Sequence, residues 1–263
     1  MIGLVLMLLL VLVAIFADQI VPYSRATELN IPERLQGPSA EHWFGTDGYG
    51  RDEFARIVHG SRYSLSIGFL STLLGLVIGG FLGILGAYYG GAVDGIIMRI
   101  ADVLVAIPTI LLSLAIVSAL GASVVILIGA IAFTRIPVFT RVIRSAALNL
   151  VNQDFVEAAR AGGTSDLRII VRHIIPNAMG TILVQTTMSV AFVIMQAATL
   201  SFLGMGIQAP APEWGYMLNE AREFAKNSAY LLWFPGMSIV LSALSCNLLG
   251  DGLRDALDPK LKN

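Results

Sequence analysis

Charged residues are scarce in this sequence. They make up 13% of its 263 residues, with 17 Lys and Arg against 18 Asp and Glu and a formal net charge of −1. An ordinary soluble domain is about a quarter charged, so this deficit indicates a bilayer environment. A nucleic-acid-binding surface needs a basic excess, which the net charge argues against.

Cysteine is nearly absent as well. The single Cys246 lies in an apolar run, which excludes a disulfide framework and a cluster of thiolate metal ligands. We interpret it as a small, buried apolar side chain. The three histidines, His42, His59 and His173, are far apart in sequence, and no metal site is expected.

Catalytic motifs are missing too. The sequence has no GxxxxGK[ST] phosphate-binding loop, so the chain is not expected to hydrolyse ATP itself. Neither HExxH nor GxSxG occurs, and an intramembrane enzyme using Asp102, Arg135 or Asp154 would lack a paired constellation. An ion-coupled carrier or a channel would be favoured by paired intramembrane acids, and none stands at mid-span. We therefore predict a protein that is not an enzyme and has no catalytic residues.

Long apolar runs are what the sequence has in abundance. Hydrophobic residues make up 56% of it, and the mean hydropathy is +0.77. About 20 such residues cross the roughly 30 Å of bilayer hydrocarbon. The pattern predicts six membrane-spanning helices, at residues 1–17, 65–88, two within 103–144 separated at Gly121-Ala-Ser123, 178–203 and 227–250.

The first run predicts a membrane anchor, because it lacks the basic start and the small-residue cleavage site of a secretory signal peptide. We expect an extracytoplasmic segment at 18–62 and a five-helix core at 63–250 with a cytoplasmic loop at 145–177. A cytoplasmic tail at 251–263 follows. Lys and Arg concentrate in that loop and in the tail, so both termini are predicted to lie in the cytoplasm.

Small residues recur along the second predicted span at steps of three and four. The stripe comprises Gly68, Thr72, Gly75, Gly79, Gly83, Gly86 and Gly90. Glycine costs about 1 kcal/mol in a helix, so a stripe of it predicts close approach of a neighbouring helix. Prolines are expected to kink the spans, at Pro108, Pro137 and Pro235.

The fifth predicted span carries a polar stripe instead. Its members are Gln185, Ser189, Gln196 and Thr199, with Phe192 between them. Unsatisfied amides are costly in hydrocarbon, so this face should look into protein or water. Lining of a translocation pathway and hydrogen bonding between helices are both open interpretations.

Two charged residues stand close to or within spans. Arg135 is placed near the cytoplasmic end of its span, where its side chain would reach the interface. Asp102 follows Arg99 by three residues, and we expect an ion pair between them; a proton relay is the alternative.

The loop between the fourth and fifth spans is unusually charged. Residues 154–161 combine strong helix formers with an acidic start, and Gly162-Gly163 predicts the helix end. Ser165-Asp166 then predicts the cap of a second helix that runs toward His173. Mixed signs of charge argue against a helix that only rests on anionic lipid, and favour a protein partner with a complementary cleft.

These residues resemble a known signature. Residues 157–163 (EAARAGG), followed nine residues later by 173–177 (HIIPN), resemble the EAA motif of permease subunits in bacterial ATP-driven, binding-protein-dependent importers. Stretches that resemble the dipeptide, oligopeptide and nickel permeases, and their C-type subunit in particular, are 42–52 (HWFGTDGYGRD), 201–207 (SFLGMGI), 212–215 (PEWG) and 247–259 (NLLGDGLRDALDP). The resemblance covers residues 42–260, and Ile175 replaces the usual leucine before Pro176.

The resemblance implies an all-α, type I importer permease fold with a cytoplasmic coupling helix, in the bacterial or archaeal cytoplasmic membrane. It implies a heterodimer with a related permease, two ATPase subunits that bind ATP and Mg, and an extracytoplasmic binding protein. Peptides are the implied substrates, with nickel or another small solute as the alternative. The segments 18–62 and 201–229 become candidate contacts of the binding protein, where Trp43 and Trp214 are alternatively interfacial aromatics.

The residues implied to couple the ATPases to the membrane spans lie at both ends of the loop. They are Glu157, Ala158, Ala159, Gly163, Asp166, Arg172, His173 and Pro176.

Overall fold

The computed structural model describes residues 1–257, and within them the only β contact is one antiparallel bridge between Thr46 and Asp52. Nine helices are named here: α1 Ile2–Ile15, α2 Glu53–Tyr89, α3 Gly91–Val105, α4 Thr109–Leu120, α5 Val124–Val151, α6 Asp154–Ala161, α7 Ile175–Phe202, α8 Trp214–Ala221 and α9 Tyr230–Leu257. Shorter helical turns lie at Ala17–Ile20, Tyr23–Thr27, Ile31–Glu33, Asp166–Ile169, Ile170–Ile174 and Arg222–Phe224.

Four helical stretches are long and apolar enough to cross a membrane, by length and composition. They are α2, α5, Asp166–Phe202, which contains α7, and α9. Helices α3 and α4 qualify together as one bent span, and α1 is a shorter apolar helix. The prediction of an all-α membrane protein is confirmed, and its six spans correspond to these four stretches, to α1 and to the bent pair, with differences at the boundaries.

Helix α2 is longer than its predicted apolar core. Asp52 caps its start by accepting a hydrogen bond of 2.8 Å from the Ala55 amide. The helix ends at Gly90, whose φ of +62° favours glycine. Its 37 residues measure about 55 Å at 1.5 Å per residue, so its first turns project beyond the predicted span into the segment assigned to the outside.

The prediction of a third span beginning at Val103 is wrong in its boundary. The chain is helical on both sides of that point, and α3 and α4 meet at an 85° bend that ends at Pro108. Proline lacks an amide hydrogen and disfavours helical conformation in the residue before it, which explains the break. The other predicted break is confirmed, since Gly121 has a φ of +96° and Ser123 caps α5.

Asp102 does not pair with Arg99 as expected. Its carboxylate accepts a hydrogen bond of 2.6 Å from Arg141 on α5. Asp94, also on α3, pairs with Arg144 one turn further along α5. Two ion pairs thus fasten the bent pair to α5.

The glycine stripe packs α2 against α5, as predicted. A Cβ on Gly79 would lie 2.4 Å from the Ile136 carbonyl oxygen, and one on Gly83 would lie 2.6 Å from that of Thr140. Gly68 faces a different helix, because a Cβ there would meet Ile194 of α7 at 2.6 Å. The missing side chains let the helix backbones approach closely.

The remaining spans complete the bundle around α2. Helix α7 packs against α9, α2 and α5, and α1 packs along α9. Cys246 of α9 is buried, as interpreted from the sequence. Pro137 and Pro235 lie inside α5 and α9. The predicted tail is helical to Leu257 as the end of α9, and its residues 258–263 lie outside the described residues.

Segment 18–62 folds as a cap over one end of the bundle. Its Arg51 and Asp47, together with Arg56 of α2, form a buried ionic cluster with Glu220 of α8. The Arg56 and Glu220 side chains approach to 2.5 Å. Pairing offsets the desolvation cost of these buried charges, and the cluster ties the cap to the segment between α7 and α9.

Candidate functional site

The charged loop between α5 and α7 contains the two short helices that the sequence predicts. Helix α6 ends at Gly162, and Gly163 turns the chain with a φ of +76°. The Gly163 amide donates to the Arg160 carbonyl at 3.0 Å, and the Thr164 amide donates to that of Ala159 at 3.0 Å. Ser165 stands at the start of Asp166–Ile169, although its side chain makes no capping hydrogen bond.

The second helix of the loop does not stop before α7. One π-helical turn, Ile170–Ile174, joins Asp166–Ile169 to α7, so Asp166–Phe202 forms a single helical stretch of 37 residues. The predicted start of the fifth span at Ala178 is therefore too late. Pro176 lies inside this stretch, at the start of α7 and just after the π-helical turn.

The loop is fixed to the bundle by apolar contacts. Val156 of α6 and Ile169 and Ile174 of the following turns are fully buried, in one cluster with Tyr88 of α2 and Val151 of α5. Burial of such side chains stabilises each by about 1.5–3 kcal/mol. The loop consequently packs as a rigid part of the bundle.

A polar contact adds to this anchor. The Tyr88 hydroxyl donates to the Asp166 carboxylate at 2.7 Å, and the Arg160 guanidinium lies 4.8 Å from the centroid of the Tyr88 ring. Tyr88 was missed by sequence reasoning, because it lies in a different span and no local pattern connects it to the loop.

The opposite face of the loop is open. Of the predicted coupling residues, the structure leaves six exposed: Glu157, Ala158, Gly163, Asp166, Arg172 and Pro176. Ala159 and His173 are half-buried. Two large apolar side chains join this face, Leu167 at 73% exposure and Val171 at 55%, and sequence reasoning did not single them out. A face with exposed apolar residues among charges is typical of a protein-binding surface.

The polar stripe of α7 divides into two parts. Phe192 and Thr199 are exposed and Gln185 is half-buried, which leaves them available to line a pathway. Ser189 and Gln196 are buried inside the chain. The Gln196 amide donates to Ser113 Oγ at 2.9 Å, so hydrogen bonding between helices is the interpretation that holds for it.

The open face of α7 borders two cavities. One has a volume of 520 Å³ and is lined by Gln185, Met188, Asn177, Thr181 and Arg254. The other has a volume of 410 Å³ and is lined by Met195, Thr199 and Phe202. The methionines of this face were missed, since in sequence they are indistinguishable from packed core residues.

Arg135 does not reach an interface, contrary to expectation. Its residue is 7% exposed, and its guanidinium contacts α7, where Nη2 donates to Ser189 Oγ at 3.0 Å. The Phe192 ring lies over the guanidinium, with its centroid 4.8 Å away.

Of the two tryptophans assigned to the outside, only Trp43 is exposed. Trp214 is 1% exposed and its indole donates to the Ile57 carbonyl at 3.0 Å, so neither interfacial lipid nor a binding protein is its neighbour. The preceding Glu213 is also buried and caps α8 by accepting from the Gly215 and Tyr216 amides at 3.0 and 2.8 Å. Burial raises the pKa of the Glu213 carboxyl, and these hydrogen bonds oppose the shift.

Comparison with known proteins places these features in context. A family model described as the inner membrane component of binding-protein-dependent transport systems matches residues 75–263. A second, described as the N-terminal transmembrane domain of oligopeptide transport permease C, matches residues 1–38.

Curated relatives match over nearly the whole chain. A dipeptide transport system permease protein of Alkalihalophilus pseudofirmus is 48% identical over 262 residues, covering 100% of this chain and 86% of the relative. A glutathione transport system permease protein of Pectobacterium atrosepticum is 46% identical over 256 residues, covering 97% of this chain and 85% of the relative.

Solved structures share the fold at lower identity. An inward-facing conformation of the MetNI methionine ABC transporter superposes with a TM-score of 0.65 at 19% identity, covering 77% of this chain and 96% of that one. An amino acid ABC transporter superposes with a TM-score of 0.58 at 18% identity, covering 78% of this chain and 95% of that one.

Proposed function

The chain belongs to the family of inner membrane components of binding-protein-dependent transport systems, and we propose that it forms one half of the pathway of a peptide importer. As a member of this family it is a multi-pass permease subunit of an ATP-driven importer and not an enzyme. ATP hydrolysis belongs to partner subunits, and a substrate-binding protein is a further partner. The fold class and family predicted from the sequence are confirmed.

Peptides are the substrates that the relatives favour. One relative is named for dipeptides and the other for glutathione, itself a tripeptide with free carboxylates. Nickel, the alternative left open by the sequence, is named for neither of these two relatives. We assign the chain to small peptides on this ground.

The observation that carries the mechanism is the construction of the loop between α5 and α7. One face is buried against α2 and α5, and the other presents Glu157, Leu167 and Arg172 to the outside of the chain. Two ATPase subunits, which bind ATP and Mg, would each grip such a loop on one of two homologous permeases. Because the loop is packed rigidly, closure of the ATPases would move α5 and α7 with it.

The two ends of the bundle are assigned to opposite sides of the membrane. The loop and both termini lie in the cytoplasm, and the cap formed by segment 18–62 faces the extracytoplasmic binding protein. The face of α7 that carries Gln185, Phe192 and Thr199 lines the pathway, opposite the partner permease.

The proposal is tested with the complete importer reconstituted in lipid vesicles with ATP. Wild type is expected to accumulate a labelled dipeptide only when ATP and the binding protein are both present. The variant Gly163→Val is expected to hydrolyse ATP while importing about five- to thirtyfold less peptide, because valine at a φ of +76° costs about 1–2 kcal/mol and distorts the turn.

Two substitutions serve as controls. Gly162 has a φ of −76°, so Gly162→Ala is expected to leave uptake unchanged. Gly163→Asn is expected to restore most uptake, since asparagine tolerates the left-handed conformation. Uptake by Gly163→Val at the wild-type rate would refute coupling through this turn, and uptake of dipeptide by wild type without ATP would refute the function itself.

A further inference from the structure

Arg135 carries a charge half way across the bundle. Helix α5 begins at Val124, which places Arg135 about 16 Å along the helix axis, near the middle of roughly 30 Å of hydrocarbon. A permanently charged side chain at this depth is unfavourable to insert. Its presence therefore requires a compensating role.

The charge has no counter-ion among residues 1–257. None of the ion pairs in that part of the chain includes Arg135. Its Nη2 donates to the neutral Ser189 Oγ, and its Nε is buried without a hydrogen-bond partner. A guanidinium presents five donors, so most of its hydrogen-bonding capacity is unused.

Fastening helices together does not explain this residue. Gln196 fills that role nearby with a neutral amide, which donates to Ser113 of α4 at 2.9 Å and to Thr134 of α5 at 3.4 Å. A full charge strengthens such a contact but raises its desolvation cost, which a neutral amide avoids. Charges inside spans mark the routes of substrates or ions by default.

The Phe192 side chain covers the guanidinium on the open face of α7, where Phe192 itself is 41% exposed. Rotation of that ring would uncover the charge. Ser189 Oγ, which accepts from Arg135, also accepts from Gln185 at 3.3 Å, and Gln185 lines the cavity of 520 Å³. Two hydrogen bonds that share Ser189 Oγ thus connect the buried charge to a residue that lines the cavity.

We infer that Arg135 is a transient binding site for the carboxylate of a peptide in transit, covered by Phe192 when the pathway is empty. The inference rests on the proposed function, which supplies the peptide. A guanidinium binds a carboxylate through two parallel hydrogen bonds, and its face stacks on an aromatic ring in the absence of that ligand. Because the Phe192 ring competes with the carboxylate for the guanidinium, the peptide is bound weakly enough to be released.

The test compares two forms of one dipeptide in the reconstituted importer, the free acid and its C-terminal amide. Each is supplied at a concentration that saturates the binding protein, so that recognition there does not set the ratio of initial uptake rates. Wild type is expected to import the acid about tenfold faster than the amide, the factor that 1.4 kcal/mol of interaction represents. Arg135→Gln is expected to bring the ratio close to one, and Arg135→Lys to give an intermediate ratio.

The matched control is Arg141→Gln, which removes a charge from the same helix at an exposed ion pair. It is expected to keep the wild-type ratio. Assembly of each variant is checked by gel filtration and by ATP hydrolysis stimulated by the binding protein. If Arg135→Gln does not assemble, Phe192→Leu serves as the test instead, because it removes the ring and keeps the charge. A carboxylate site at Arg135 predicts that Phe192→Leu changes the uptake rate of the free acid and leaves that of the amide unchanged.

The experiment distinguishes failure of the carboxylate site from failure of the proposed function. An equal loss of both substrates in Arg135→Gln, or an equal effect of Phe192→Leu on both, would overturn the carboxylate site and leave the peptide importer standing. Loss of the partner permease from the Arg135→Gln complex, together with an equal effect of Phe192→Leu, would reassign Arg135 to an ion pair between subunits. A wild-type importer that moves neither form would overturn the peptide assignment, and the site with it.

Discussion

Single glycines decide how closely α2 and α5 pack. At Gly79 a Cβ would lie 2.4 Å from a carbonyl oxygen of α5 and 2.8 Å from Phe139 Cβ, so any side chain forces the helices apart. At Gly95 of α3 a Cβ would meet nothing within 4 Å. The same residue type is therefore essential at one position and replaceable at the other.

This difference is measurable in the purified complex. Gly79→Ala is expected to lower the free energy of unfolding by about 1–3 kcal/mol, the usual cost of overpacking. Gly95→Ala is expected to be neutral or stabilising, because alanine is favoured over glycine in a helix. Thermal unfolding in detergent compares the two variants; equal melting temperatures would contradict the close packing of α2 on α5.

The role of a single residue could be predicted from the sequence where residues of one type repeat at a regular spacing. The glycine stripe repeats at helical spacing, and its packing role could be predicted from that spacing alone. The environment of Arg135 could not, because Ser189 and Phe192 reach it from a helix more than fifty residues away. Contacts of this kind depend on how the spans assemble, which no local pattern encodes.

The residue that caps the start of α8 is a buried carboxyl group, and its burial makes the stability of the protein depend on pH. Glu213 caps this helix from a position without solvent, and its pKa is raised by burial. The folded state therefore holds the proton to a higher pH than the unfolded state, in which an ordinary glutamate loses it near pH 4.3. The contribution of Glu213 to stability is complete below that pH and declines as the pH rises toward the folded pKa.

The sign of this effect is testable with Glu213→Gln, which does not titrate. We expect the difference in unfolding free energy, wild type minus variant, to decrease from pH 4 to pH 7. Denaturant unfolding of the detergent-solubilised complex at several pH values gives this difference. A difference that is constant or grows with pH would show that Glu213 is ionised in the folded protein.

At the level of elements, capping signals were the reliable guide. Gly163 follows the end of α6 as predicted from residue type, whereas Ser165 stands at the start of Asp166–Ile169 without capping it through its side chain. The bend at Pro108 was expected as a kink, but its 85° was not, because proline fixes where a helix breaks and not the direction in which the chain continues. The continuity of Asp166–Phe202 was not predicted, because the sequence indicates one helix that runs toward His173 and a separate span that begins at residue 178.

The whole molecule has two distinct ends joined by α2. Its Arg56 belongs to the ionic cluster beneath the cap, and its Tyr88 contacts the charged loop between α5 and α7 through Asp166. The cap was predicted only as an extracytoplasmic segment, because its ionic cluster combines residues 47–56 with Glu220 from far along the chain. Orientation rests on the distribution of Lys and Arg and remains a prediction.

Orientation can be read with single introduced cysteines, since the natural Cys246 is buried. Trp43→Cys lies at an exposed position of the cap, and Gln153→Cys lies at an exposed position just before α6. In intact cells a membrane-impermeant thiol reagent is expected to label the first and to label the second only after permeabilisation. The reverse pattern would invert the topology and remove the loop from the reach of cytoplasmic ATPases.

The unbroken stretch Asp166–Phe202 is long enough to amplify a tilt imposed at its start. Its 37 residues measure about 55 Å, so a tilt of about 10° imposed at Asp166 displaces the far end by about 10 Å if the rod pivots at its base. Phe202 stands at that far end and lines the cavity of 410 Å³. A tilt imposed at the loop would thus displace the lining of this cavity much further than the loop itself.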